Sequence, residues 1–156
     1  MVNYEGIFFE GENLEKILSL EKTKLSNSNL LVHCTFKYSP KENEIDNNLV
    51  GKEFDVFLTG YACDGRNSGF SLRLSDDIWK YYINREFKTG KLRIPHITTS
   101  IAEGEKPLHT KDLKFEKFEK PIKVKGRFGF FIIDEDKQYL SYEKYDISKM
   151  GDKKWK

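Results

Sequence analysis

Apolar and polar positions alternate in short runs along most of the chain, and a period of two predicts strands. Residues 3–10, rich in Tyr, Ile and Phe, form the first expected strand. Gly11 and Asn13 end it. Asn13 is placed to cap a short helix to Leu20, in which Leu14, Ile17 and Leu18 recur at helical spacing. A polar loop over 22–29 leads to a strand from Leu30 to Tyr38, stopped by Ser39-Pro40 because proline donates nothing to a ladder. Residues 41–50 are a polar loop, and the run 53–62 carries Phe54, Val56 and Leu58 on one face. Residues 64–69, with two glycines, predict a turn, and Phe70, Leu72 and Leu74 return as a partner strand, so the two runs make a hairpin. A helix is expected from Asp77 to Asn84, packing through Ile78, Tyr81 and Tyr82, followed by a basic loop over 85–93 and a strand over 94–101. Residues 111–120 mix Lys, Glu and Phe ambiguously. The last strong strand runs from Pro121 to Ile133, with Gly126 and Gly129 as candidate bulge positions. Residues 134–136 turn, 138–142 return as an edge strand, and the lysine-rich 143–156 fray.

Two of these strands repeat one motif. Leu31-Val32-His33-Cys34-Thr35-Phe36 and Ile94-Pro95-His96-Ile97-Thr98-Thr99 each read His-x-Thr, 63 positions apart (96 minus 33). In a strand, His33 shares a face with Thr35, and His96 with Thr98, while Val32, Cys34, Phe36 and Ile97 turn to the core. Two imidazoles on one groove suit general base and general acid chemistry, because an unperturbed histidine titrates near pH ~6.5. Threonine hydroxyls beside them suit the non-bridging oxygens of a phosphodiester. The design requires no metal and no cofactor. The repeated motif implies two similar halves around one groove.

The paired motif resembles that of the two-histidine (2H) phosphoesterase superfamily, which includes LigT-like RNA 2′,3′-cyclic phosphodiesterases. Tyr4-Glu5-Gly6-Ile7-Phe8-Phe9, the run Ile94 to Ser100 and Gly104-Glu105-Lys106-Pro107 look more narrowly like the Swiss army knife RNA repair-like branch. The resemblance spans roughly residues 3–133. In this family the position after the threonine is usually apolar; Phe36 fits and Thr99 departs. The resemblance implies an α+β fold of two pseudo-symmetric lobes, mostly antiparallel sheet with flanking helices around a central groove. It implies a single domain over 1–156 with a core at about 3–142. His33 and His96 are then the expected catalytic pair, in an order the sequence leaves open, and Thr35 and Thr98 hold the phosphoryl oxygens. The expected substrate is an RNA end or small nucleotide, a 2′,3′-cyclic phosphate first. A cyclic oligonucleotide phosphodiesterase and a non-catalytic nucleotide- or RNA-binding module are the alternatives. Tyr4, Phe8 or Tyr61 are candidates to stack on a base, and Lys106 to touch phosphate. Asp64-Gly65 with Arg66 is a further phosphate-touching candidate, and His109, followed by Thr110, a minor catalytic one.

Composition narrows the setting. With 33% charged, 38% hydrophobic and 14% aromatic residues the chain is globular rather than disordered. The net charge of +2 gives no global nucleic-acid signature, so any polyanion must be held by a local groove. Two cysteines make no disulfide framework, and Cys34 faces the expected core, which fits a reduced, cytoplasmic setting. The opening Met-Val-Asn-Tyr-Glu predicts no signal peptide, and no apolar run approaches the ~18 residues of a membrane span. A monomer is the expected state.

Overall fold

The computed structural model describes residues 1–82 and 94–148. The expected basic loop at 85–93, positions 83–84 of the expected second helix and most of the tail lie outside them. Strands Val2–Phe8 (β1), His33–Tyr38 (β2), Glu53–Cys63 (β3), Asn67–Leu74 (β4), His96–Ile101 (β5), Glu116–Asp134 (β6) and Lys137–Ser141 (β7) form one antiparallel sheet. Its order is β2-β1-β6-β3-β4-β5, with β7 added to β6. Helix Gly11–Leu20 (α1) links β1 to β2, and helix Asp76–Tyr82 (α2) follows β4 on the way to β5. The fold is α+β, mostly antiparallel, and the sheet curls until its edge strands β2 and β5 lie side by side, nearly closing a barrel. Among the described residues no helix is long and apolar enough to cross a membrane.

The alternation read from the sequence places the core. Val32, Cys34, Phe36 and Ile97 are all at most 2% exposed, and Phe54, Val56 and Leu58 are buried on one face of β3. Several local expectations change. α1 starts at Gly11, whose φ of +58° makes the turn out of β1, and Asn13 does not cap it. The Asn13 Oδ1 instead accepts the Lys125 N–H of β6 at 2.8 Å, tying helix to sheet. The turn after β3 is only Asp64 to Arg66, because the Asp64 carboxylate accepts the N–H groups of Arg66 and Asn67 and closes it early. Asn67, Ser68 and Gly69 belong to β4. β6 starts at Glu116, and Pro121 lies where its register with β3 shifts between Leu58 and Gly60, so its missing N–H breaks no regular ladder. Gly126 and Gly129 are not bulges; side chains cross over them, Ile7 and Phe9 at one and the Tyr142 ring at the other.

The two motif strands are built alike. In β1–β2, Glu5 faces Lys37 and Gly6 faces Thr35, so Phe36 is an extra, bulged residue. In β4–β5, Ser68 faces Ser100 and Gly69 faces Thr98, so Thr99 is the extra residue. Gly6 and Gly69, like the histidines and threonines, are 63 positions apart. A Cβ on Gly6 would sit 2.0 Å from the Cys34 carbonyl oxygen, and one on Gly69 2.2 Å from that of Ile97. Each glycine therefore lets a motif strand press against its neighbour at the residue between His and Thr.

The bulged residues part company chemically. Phe36 packs edge-on against Phe128 and Tyr82. Thr99 is equally buried, but its hydroxyl donates to the Glu21 carboxylate, which also accepts from Ser68 at 2.9 Å and Ser100 at 2.8 Å. This accounts for the polar residue after the second motif: its back face is tied by a carboxylate instead of packed by a ring. Glu21→Ala removes the acceptor that three buried hydroxyls share, leaving each with one remaining partner, and is expected to cost about 2 kcal/mol, read as a lower urea midpoint at unchanged slope. A midpoint equal to the wild type's would show that the knot carries no stability.

Candidate functional site

Curling of the sheet brings the motif residues together. His33 and Thr35 on β2, and His96 and Thr98 on β5, line one cavity of about 430 Å³, a usual size for a small-ligand site. Tyr4, Tyr38, Tyr82, Lys106, Pro107 and Leu108 complete much of its wall. Among the described residues its lining holds a lysine and two histidines and no carboxylate, which favours an anion.

Each imidazole is fixed in the same way. His33 Nδ1 lies 2.6 Å from the Leu31 carbonyl, and His96 Nδ1 lies 3.0 Å from that of Ile94, both two residues upstream. A carbonyl only accepts, so Nδ1 carries the proton and Nε2 is the nitrogen left for chemistry. His33 also stacks on Tyr4, with ring centroids 4.5 Å apart, and on Phe8 at 5.3 Å. Burial among these rings pushes its pKa down to about 4, and the nearby His96 adds to the effect. His33 is thus a neutral imidazole at pH 7.

The threonines differ. The Thr35 hydroxyl has no hydrogen-bond partner among the described residues, whereas Thr98 is 2.6 Å from the Thr110 hydroxyl and 3.2 Å from the Pro107 carbonyl. Lys106 lines the cavity as expected. Tyr4 does too, but its ring is held between His33 and Phe131, so it orients the histidine and offers no free stacking face. Phe8, 1% exposed, is likewise packing for His33.

Tyr61 is a correction. It lies on β3, away from the seam, and lines a different cavity. Its hydroxyl accepts the Thr23 N–H and sits 2.7 Å from Ser68 Oγ, so it braces the chain after α1. Arg66 pairs with Glu105 at 3.2 Å, and neither it, Asp64 nor His109 lines the cavity of the histidines. Among the described residues, no three His, Cys, Asp or Glu side chains gather as a metal set.

Sequence reasoning missed Tyr38, Tyr82 and Leu108. Strict alternation puts Lys37 beside His33 and Thr35. The bulge at Phe36 reverses the parity, so Lys37 turns to Glu5 and Asp46 and Tyr38 takes its place on the groove. Tyr38 is 52% exposed and Leu108 48%, which gives the cavity an apolar, aromatic rim. No family model matches the chain, and no curated protein matches it.

Proposed function

We propose that this chain is a metal-independent phosphodiesterase of the two-histidine kind, acting on a nucleotide or RNA phosphodiester, with a 2′,3′-cyclic phosphate as the first substrate to test. The observation that carries this reading is the pair of imidazoles from opposite sheet edges in one anion-favouring cavity, each with Nδ1 tied to a backbone carbonyl. A two-lobed organisation belongs to the same reading: β1–α1–β2 and β4–α2–β5 each supply a glycine, a bulge and a His-x-Thr strand.

The neutral His33 is the base. Its Nε2 takes a proton from water as the water oxygen bonds to phosphorus. The bond from phosphorus to one ribose oxygen breaks, and His96, protonated, gives its Nε2 proton to that oxygen. Thr35 and Thr98 donate to the non-bridging oxygens as charge builds there. The product is a phosphomonoester, and solvent exchange resets the two protons. In an RNA strand the 2′-hydroxyl takes the place of water.

The pH profile follows from His33. A base works when deprotonated, so a pKa of about 4 keeps it competent from neutrality down to about pH 4. The acidic limb of kcat/KM, which reports the free enzyme, is expected well below the ordinary histidine value of 6.5. An acidic limb at that ordinary value would remove His33 from the base role. The function itself is tested with 2′,3′-cyclic mononucleotides, 2′,5′- and 3′,5′-linked dinucleotides and cyclic dinucleotides in the presence of chelator. Turnover of any of them supports the reading; binding without turnover replaces it with that of a nucleotide-binding module.

A further inference from the structure

The halves match in glycine, bulge, histidine and threonine, yet among the described residues only the second threonine is held by another side chain. Thr98 meets the 3-10 turn Pro107–Asp112, which brings Thr110 to the back of the site. Thr110 and Asn67 are both fully buried. Asn67 Nδ2 donates to the Lys106 carbonyl at 2.9 Å and to Thr110 Oγ1 at 3.1 Å. One direction of protons satisfies the chain. Thr110 accepts from the amide, which only donates through nitrogen, and with the single Thr98 proton on the Pro107 carbonyl it is the Thr110 proton that fills the bond between the two hydroxyls. Thr98 then donates to the Pro107 carbonyl, a longer contact of 3.2 Å. The Asn67 Oδ1 is buried without a partner among the described residues, so the amide is held wholly through its donor side.

Resting on the function proposed above, we propose that Asn67 and Thr110 are positioning residues that relay a hydrogen bond to Thr98 and aim its hydroxyl at a phosphoryl oxygen. The weak bond to Pro107 parks the Thr98 proton. A phosphoryl oxygen in the cavity draws that proton away, while the bond from Thr110 stays and polarises the hydroxyl, since bonds in a chain strengthen one another. Among the described residues Thr35 has no such support, so the two phosphoryl contacts are unequal.

The test is a double-mutant cycle on the full chain with the cyclic substrate it turns over. Thr110→Val is expected to lower kcat by about tenfold with KM nearly unchanged, because the relay acts on charge developing in the transition state. Thr110→Ser keeps the hydroxyl and is expected to stay within about twofold of wild type; in Thr98→Val protein, Thr110→Val is expected to add no more than about twofold. An unchanged kcat in Thr110→Val, failure of serine to rescue, or a full additional loss in the Thr98→Val background overturns the relay and leaves the phosphodiesterase reading standing. If the wild type turns over no substrate, that reading falls, and the same variants are compared for affinity for a nucleoside 2′-monophosphate. Weaker binding by Thr110→Val only where Thr98 is present supports the relay, and equal binding overturns it. Wild type that neither turns over nor binds overturns both.

Discussion

Alanine in place of His33 or of His96 is expected to lower phosphodiester turnover by at least about 100-fold, since a positioned acid or base contributes about 10²–10⁴-fold. The fold should survive. Neither side chain is fully buried, and the backbone carbonyl that each Nδ1 holds can be satisfied by water in its place. The two losses should not multiply. Proton removal and proton delivery serve one displacement, so the double variant should be little worse than the poorer single one. The measurements are steady-state turnover and a circular-dichroism melt for each variant. Either alanine variant keeping more than about a tenth of wild-type turnover would remove that histidine from the reaction.

The second large effect falls on residues that have no side chain. Gly6→Ala puts a methyl 2.0 Å from the Cys34 carbonyl oxygen, and Gly69→Ala puts one 2.2 Å from that of Ile97 and 2.8 Å from the Thr110 methyl. The obstacles at the first site are backbone, which cannot rotate away. Either change must push the motif strand off its neighbour, at the upper end of the ~1–3 kcal/mol usual for overpacking. In a chain of this size that corresponds to a melting point lower by about 6–12 °C. Activity should fall with it, because the displaced carbonyl lies between the histidine and the threonine. Gly65→Ala is the comparison. Gly65 has a φ of +86° with nothing near its missing Cβ, so it carries only a backbone penalty of about 1–2 kcal/mol. Gly6→Ala melting within about 2 °C of wild type would mean that β1 and β2 are not held as closely as described.

Much of the site was legible because strand alternation is a strong local rule. His33, Thr35, His96 and Thr98 were found from spacing alone, and the residues between them went to the core as the period of two requires. What escaped depended on events that the local pattern does not encode. The bulge at Phe36 swapped Lys37 for Tyr38. The order of strands carried Tyr61 to another cavity, since a strong strand signal on β3 says nothing about which neighbours it will have. Thr110 was visible only as the residue after His109. Its contact with Thr98 comes from a 3-10 turn folding back on β4 and β5, and a histidine catches the eye where a buried threonine does not.

β2 and β5 end the strand order β2-β1-β6-β3-β4-β5, and an open margin is where foreign strands dock and aggregates begin. Here each margin faces the other, and the chain segment between α1 and β2 fastens part of β5 through a two-way bond between Asn27 and Ile101. What remains ajar is the stretch bearing the histidines. An anion gripped from both sides would staple that gap shut, so the molecule should be hardest to unzip, and least prone to self-association, while its cavity is filled.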